Sequence, residues 1–101
     1  MAVNNYTHIS WSPSSIIIFS TDAKLLDDII VEVKKIVPTC VINEVADIYN
    51  NKSKLHISKL EDKDHRIGIW LLRWLGQFGW EVFEDKTDGL FSGAYSLRKH
   101  E

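Results

Sequence analysis

The run SSIIIFS, residues 14–20, places the strongest constraint on what this chain can become. Three consecutive β-branched isoleucines followed by phenylalanine favour a strand. A strand repeats every two residues, so Ile16 and Ile18 point one way and Ile17 and Phe19 the other. Both directions are apolar. Such a strand belongs in the interior of a sheet, with something covering each face.

The chain has 101 residues, 45% of them hydrophobic and 26% charged, which is the size and balance of one globular domain spanning residues 1–101. After the strand, TDAKLLDDIIVEVKKIVP reads as a helix. Leu26, Ile29, Ile30, Val33, Ile36 and Val37 form an apolar stripe, Thr21 or Asp22 caps the start, and Pro38 stops it. TCVINEVADIY (39–49) and KLHISKL (54–60) read as a hairpin turned by NNKS. DHRIGIWLLRWLGQFG (64–79) is a second helix, ended by Gly79 in the left-handed position, with Trp80 packing back on Leu75. WEVFE and GAYSLRK form a second hairpin through DKTDG.

The order β-α-β-β-α-β, plus a C-terminal strand, predicts an α+β domain of the ferredoxin-like, split β-α-β kind. It has an antiparallel sheet with both helices on one face. THISW, near the start, is expected as an edge strand or as a lid over the sheet's other face. Residues 6–11 would form that lid. The other candidate cover is a second copy, so a homodimer is expected.

Trp70, Trp74 and Trp80 crowd into sixteen residues, 65–80. Trp70 and Trp74 share a helical stripe with Ile67, Leu71, Leu75 and Phe78, which predicts packing on the sheet. Ile69 and Leu72 lie off the stripe and leave apolar surface for a partner. A membrane-surface helix needs a strongly basic polar face, and Arg66, Arg73 and Gln77 are too few.

The stretch from Leu71 onward resembles the end of small bacterial domains that carry a GWELV motif. The matching residues are Gly79, Trp80, Glu81 and Val82, then Tyr95, Leu97, Arg98 and Lys99. The resemblance implies a helix ending at a Gly-Trp-Glu step, followed by two strands closing on a basic residue. The Trp-Glu-Tyr step near the start of those domains has no counterpart here. The family has no established activity, so the resemblance implies no catalytic residue.

Chemistry-bearing patterns are sparse. The lone Cys40 allows no internal disulfide and reads as a buried small hydrophobe. The four histidines form no zinc spacing, and Glu61, Asp62, Asp64 and His65 are suited to capping a helix start. There is no nucleophile elbow, P-loop or dinucleotide fingerprint. Neither catalysis nor a metal or cofactor is therefore expected. The N-terminal ten residues lack the pattern of a signal peptide, and no apolar run is long enough to span a bilayer, which predicts a cytoplasmic protein.

Net charge is −2, but residues 20–49 are acidic on balance and residues 50–73 basic. Lys54, His56 and Ser58 share one strand face by period 2, with Lys52 at the adjoining turn. Lys52, Lys54, His56, Lys59, Arg66, Arg73, Ile69 and Leu72 are the expected partner-binding residues. Nucleic acid is disfavoured, because the strands expected to be central offer few rings for base stacking. The expected function is a non-catalytic, protein-binding regulator or inhibitor. Its size and its Ile-, Lys- and Asn-rich composition fit a virus- or mobile-element-encoded chain. The alternatives are a small-ligand sensor with a pocket lined by Trp74, Trp80 and Tyr95, or a sequence-independent nucleic-acid binder using the basic stripe.

Overall fold

The computed structural model describes residues 5–47, 52–60, 67–86 and 92–99. Within them the elements run β1 (Asn5–Trp11), β2 (Ile16–Ser20), α1 (Ala23–Ile36), β3 (Val41–Asp47), β4 (Lys52–Ser58), α2 (Ile67–Gly76), β5 (Glu81–Asp85) and β6 (Gly93–Lys99). The six strands make one sheet in the order β3-β4-β2-β1-β6-β5, with every neighbouring pair antiparallel. The fold is thus α+β. No helix among the described residues is long and apolar enough to cross a membrane.

The strand SSIIIFS is interior, as its two apolar faces require, with β4 on one side and β1 on the other. The segment expected as an edge strand or lid is neither. Tyr6–Trp11 lies within β1, paired with both β2 and β6. Its sequence alternates Thr7, Ile9, Trp11 against Tyr6, His8, Ser10, so only one set enters the core. A short turn joins it to β2, closed by a 2.8 Å bond from the Ser12 N–H to the Ser15 carbonyl.

This placement makes the strand order differ from that of a ferredoxin-like sheet. The β2-α1-β3-β4 portion keeps the split β-α-β neighbours, with β4 between β2 and β3. On the other side of β2, however, β1 takes the next place and β6 and β5 extend the sheet outward. The result is a central β1-β2 hairpin flanked by two α-β-β units. α1-β3-β4 adjoins β2, and α2-β5-β6 adjoins β1. The sequence shows no repeat, so this symmetry lies in the topology alone.

One face of the sheet carries the core. Ile9, Ile18, Leu55, Ile57 and Leu97 are wholly or almost wholly buried there, under Leu26, Ile29 and Val33 of α1 and Leu71 and Leu75 of α2. Thr7 and Ser20 are buried among them and bond to each other through their hydroxyls at 2.9 Å. That pairing removes the cost of desolvating each alone.

The helix ends follow local chemistry. The Asp22 side chain accepts from the Leu25 N–H at 3.2 Å and caps α1. Thr21, the other candidate cap, instead accepts from the Tyr6 N–H and ties β1 to the start of the helix. Lys34 donates to the Cys40 carbonyl at 2.6 Å and holds the link from α1 to β3, while Cys40 itself is buried. Ile36, expected on the apolar stripe, is exposed, because the buried line runs through Leu26, Ile29, Val33 and Val37.

After α2, Gly79 has φ +90°, the Trp80 N–H reaches the Leu75 carbonyl and the Gly79 N–H the Gly76 carbonyl. These two bonds are the Schellman closure, and they turn Trp80 back into the core. The expected cap at residues 61–65, the first half of the expected NNKS turn (50–51) and residues 87–89 of the DKTDG turn lie outside the described residues, while Lys52 and Ser53 of the NNKS stretch begin β4.

Candidate functional site

The alternate residues of the same strands form a second face, on which neither helix packs. Register fixes its composition. His8 stands opposite Phe19 and Ser96, Phe19 opposite Lys54, and Tyr6 opposite Arg98. On β5 a bulge falls between Val82 and Glu84, so Phe83 and Glu84 both lie on this face. β3 contributes Val41 and Val45 at the far edge.

Three rings run diagonally across it. Tyr6 meets Phe19 edge-on with centroids 6.2 Å apart, and Phe83 on its other side at 5.9 Å. The Arg98 guanidinium lies 5.5 Å over the Phe83 ring, a cation–π contact. Lys54 stands at the other end of the row. Among the described residues, neither Lys54 nor Arg98 has a carboxylate within ion-pairing distance, whereas Glu84 is engaged by Lys86 at 3.0 Å.

Behind the rings, Ser96 Oγ lies 3.0 Å from His8 Nδ1 and 3.3 Å from the Tyr6 hydroxyl. This small polar network is satisfied within the face. A shallow cleft of about 410 Å³ opens between Tyr6, His8, Ile17, Phe19 and Lys54. At the two edges Val45 is 55% exposed and Phe83 47% exposed. These are large apolar groups left in water on one face, at opposite edges of the sheet.

The predicted site residues divide between this face and elsewhere. Lys54 and His56 lie on it, as their period-2 spacing requires, since Leu55 and Ile57, which alternate with them, are buried. Lys52 begins β4 opposite Asp47. Lys59 is exposed just beyond β4 with φ 59°. Ile69 and Arg73 are exposed on α2, away from the sheet's second face, and Leu72 is partly buried against the core. Arg66 lies outside the described residues.

The residues expected to line a ligand pocket are mostly core. Trp80 and Tyr95 are buried, and Tyr95 stacks on Trp11 at 6.4 Å. Trp74 is half-buried in a row with Trp70 and Phe78, at 6.1 and 5.0 Å. The helix is rotated so that Ile67, Gly68, Leu71 and Leu75 face the sheet, and the tryptophans flank that contact. Gly68 explains the rotation. A Cβ there would come within 2.8 Å of Trp11, so only glycine lets α2 settle this closely on β1.

Tyr6, Phe19, Phe83 and Arg98 do not stand out in the sequence as one set, since they converge only through the pairing order. The alternation Tyr6, His8, Ser10 is the available signal for one strand of it. No group of three or more metal-ligating side chains occurs among the described residues. No family model, curated protein or solved structure matches the chain.

Proposed function

We propose that this chain is a non-catalytic binding domain, an intracellular regulator or inhibitor that works through protein–protein contacts, and that the face of its sheet on which neither helix packs is the docking surface. The observation that carries the proposal is that this face combines exposed apolar side chains at both edges, Val45 and Phe83, with the partly exposed rings of Tyr6 and Phe19 and with Lys54 and Arg98, cations without a carboxylate partner among the described residues. Apolar patches beyond a few hundred Å² are unusual on free monomers and mark interfaces. Aromatic rings and arginine are the side chains most often found at the energetic centre of such contacts.

Among the described residues, only the pair Ser96 and His8 resembles a nucleophile with its base. Ser96 is 5% exposed, and its hydroxyl is shared with Tyr6. Acyl transfer also needs free donors for an oxyanion, and the backbone around Ser96 is committed to ladders with β1 and β5. Both points favour binding over catalysis. The cleft beside Phe19 has the size of a small-ligand site, which keeps a ligand sensor as the second reading, at Tyr6, His8, Ile17, Phe19 and Lys54.

A partner recovered by pull-down from native extract, then purified, gives the test. It should rebind wild-type chain and Val31→Ser, an exposed change on α1, but bind Phe83→Ser and Lys54→Glu at least about tenfold more weakly. Circular dichroism checks that each variant is folded. Equal binding by all four would overturn the assignment of the face.

A further inference from the structure

The docking face is complementary to itself. Its two most exposed apolar side chains, Val45 and Phe83, sit on the opposite edge strands β3 and β5. They also lie near one level of the sheet. Val45 pairs with Lys54, Lys54 with Phe19, Phe19 with His8, His8 with Ser96, and Ser96 with Glu84, the neighbour of Phe83. This cross-strand row therefore begins with an apolar group beside a cation, and ends with an apolar group beside a carboxylate.

We infer that the occupant of this face is a second copy of the chain, stacked face to face about a two-fold axis that runs parallel to the strands between β1 and β2. The inference rests on the open face being the docking surface. Rotation about that axis exchanges the two edges. β3 of one copy then lies over β5 of the other, so Val45 covers the partner copy's Phe83 on each side. Lys54 comes within reach of the opposite Glu84, which it would share with Lys86, across the roughly 10 Å that separates packed sheets. Each contact occurs twice, as an isologous interface requires. An axis at right angles to the strands would instead lay Lys54 near Lys54 and Glu84 near Glu84.

The area is adequate. Six strands at about 4.8 Å spacing and about 20 Å of length project roughly 600 Å² per copy. Corrugation by side chains raises the accessible area above that projection, so the pair reaches the class of about 1,200–2,000 Å² typical of stable complexes. The apolar exterior of Ile17 and Phe19, which the sequence requires to be covered, is covered in this arrangement.

Sedimentation and cross-linking of the full chain test it together. Wild type at micromolar concentration should sediment at twice the 11.7 kDa chain mass. Val45→Asp should weaken the dimer by at least roughly tenfold. Lys54→Glu should weaken it less, and Lys54→Glu combined with Glu84→Lys should recover most of the loss. For the axis, Val45→Cys mixed with Phe83→Cys under copper-phenanthroline oxidation should give disulfide-linked mixed dimers in clear excess over either variant alone.

A chain that stays at 11.7 kDa throughout overturns the inference, and so does a dimer in which self-linked pairs equal mixed ones. If that monomer still binds another protein, and loses it in Phe83→Ser, the docking face stands and only its occupant is wrong. If the wild-type dimer forms and Val45→Asp leaves it intact, the dimer uses another surface and this inference fails.

Discussion

The two faces of the sheet are built from the same strands, often from adjacent residues, and their chemistry diverges completely. On the helix-covered side Ile9, Ile18 and Leu55 have no exposed surface. One residue along each strand, His8 and Phe19 are partly accessible and Lys54 is exposed, on a face where Ser96 alone among their row is buried. The difference teaches where stability and recognition reside. A two-layer domain of this size needs one well-packed face to fold. The other is free to carry rings, cations and an internal Tyr6–Ser96–His8 network that organises a surface.

The largest effect is expected where the faces are compared at neighbouring positions. Ile18→Ala removes a fully buried side chain between Ile9 and Leu55, and should cost about 2–5 kcal/mol in urea unfolding. Ile17→Ala, one residue away on the open face, should cost about 1 kcal/mol. Equal losses at the two positions, measured at concentrations low enough to keep the chain monomeric, would mean that the second face is also packed within the monomer.

Next in size is the contact that seats α2 on β1. Gly68→Ala would normally favour a helix by up to about 1 kcal/mol. Here the added Cβ meets Trp11 Cγ at 2.8 Å and Trp11 Cβ at 3.3 Å, atoms close to the β1 backbone that a change of ring position hardly moves, and the Trp11 ring is itself stacked on Tyr95. Overpacking of this kind costs about 1–3 kcal/mol, so the variant should lose stability in spite of its better propensity. A melting temperature above wild type would show that α2 can lift from the sheet without penalty. Cys40→Ala should cost about 1 kcal/mol as a small core truncation and leave partner binding unchanged. Loss of binding by the folded variant would contradict a purely structural role for the thiol.

Much of the covered face is legible in the sequence because its causes are local. The Asp22 cap, the Gly79 turn and the interior position of SSIIIFS each follow from a few neighbouring residues. The place of β1 does not, because its polar residues resemble those of an edge strand. Thr7 is buried only because Ser20, thirteen residues later, supplies its hydrogen-bond partner. The tryptophan stripe shows its period in the sequence but not its rotation. Helical spacing gives the arc of apolar residues, while the contact of Gly68 with Trp11 selects which part of it faces inward. The open face is legible only strand by strand, at Ile17 and Phe19 of β2 and at Lys54, His56 and Ser58 of β4. Its aromatic row depends on β1 and β5 reaching their places, and strand order is a non-local outcome.

The smallest expected effect has the opposite sign, and it separates space from propensity in the same helix. Gly76 ends α2 two turns beyond Gly68. A methyl group added there would meet nothing within 4 Å, and the backbone φ is not positive. Gly76→Ala therefore gains helix propensity and lowers the entropy of the unfolded chain without meeting a neighbour. It should stabilise the chain by about 0.4–1 kcal/mol, at the low end because the site lies in the last turn. The Schellman closure should survive, since Gly76 contributes only its carbonyl to the Gly79 N–H. Urea unfolding of the two glycine variants side by side makes the comparison sharp. If Gly76→Ala destabilises as Gly68→Ala does, both glycines are needed for backbone freedom, and the steric account of how α2 sits on Trp11 is wrong.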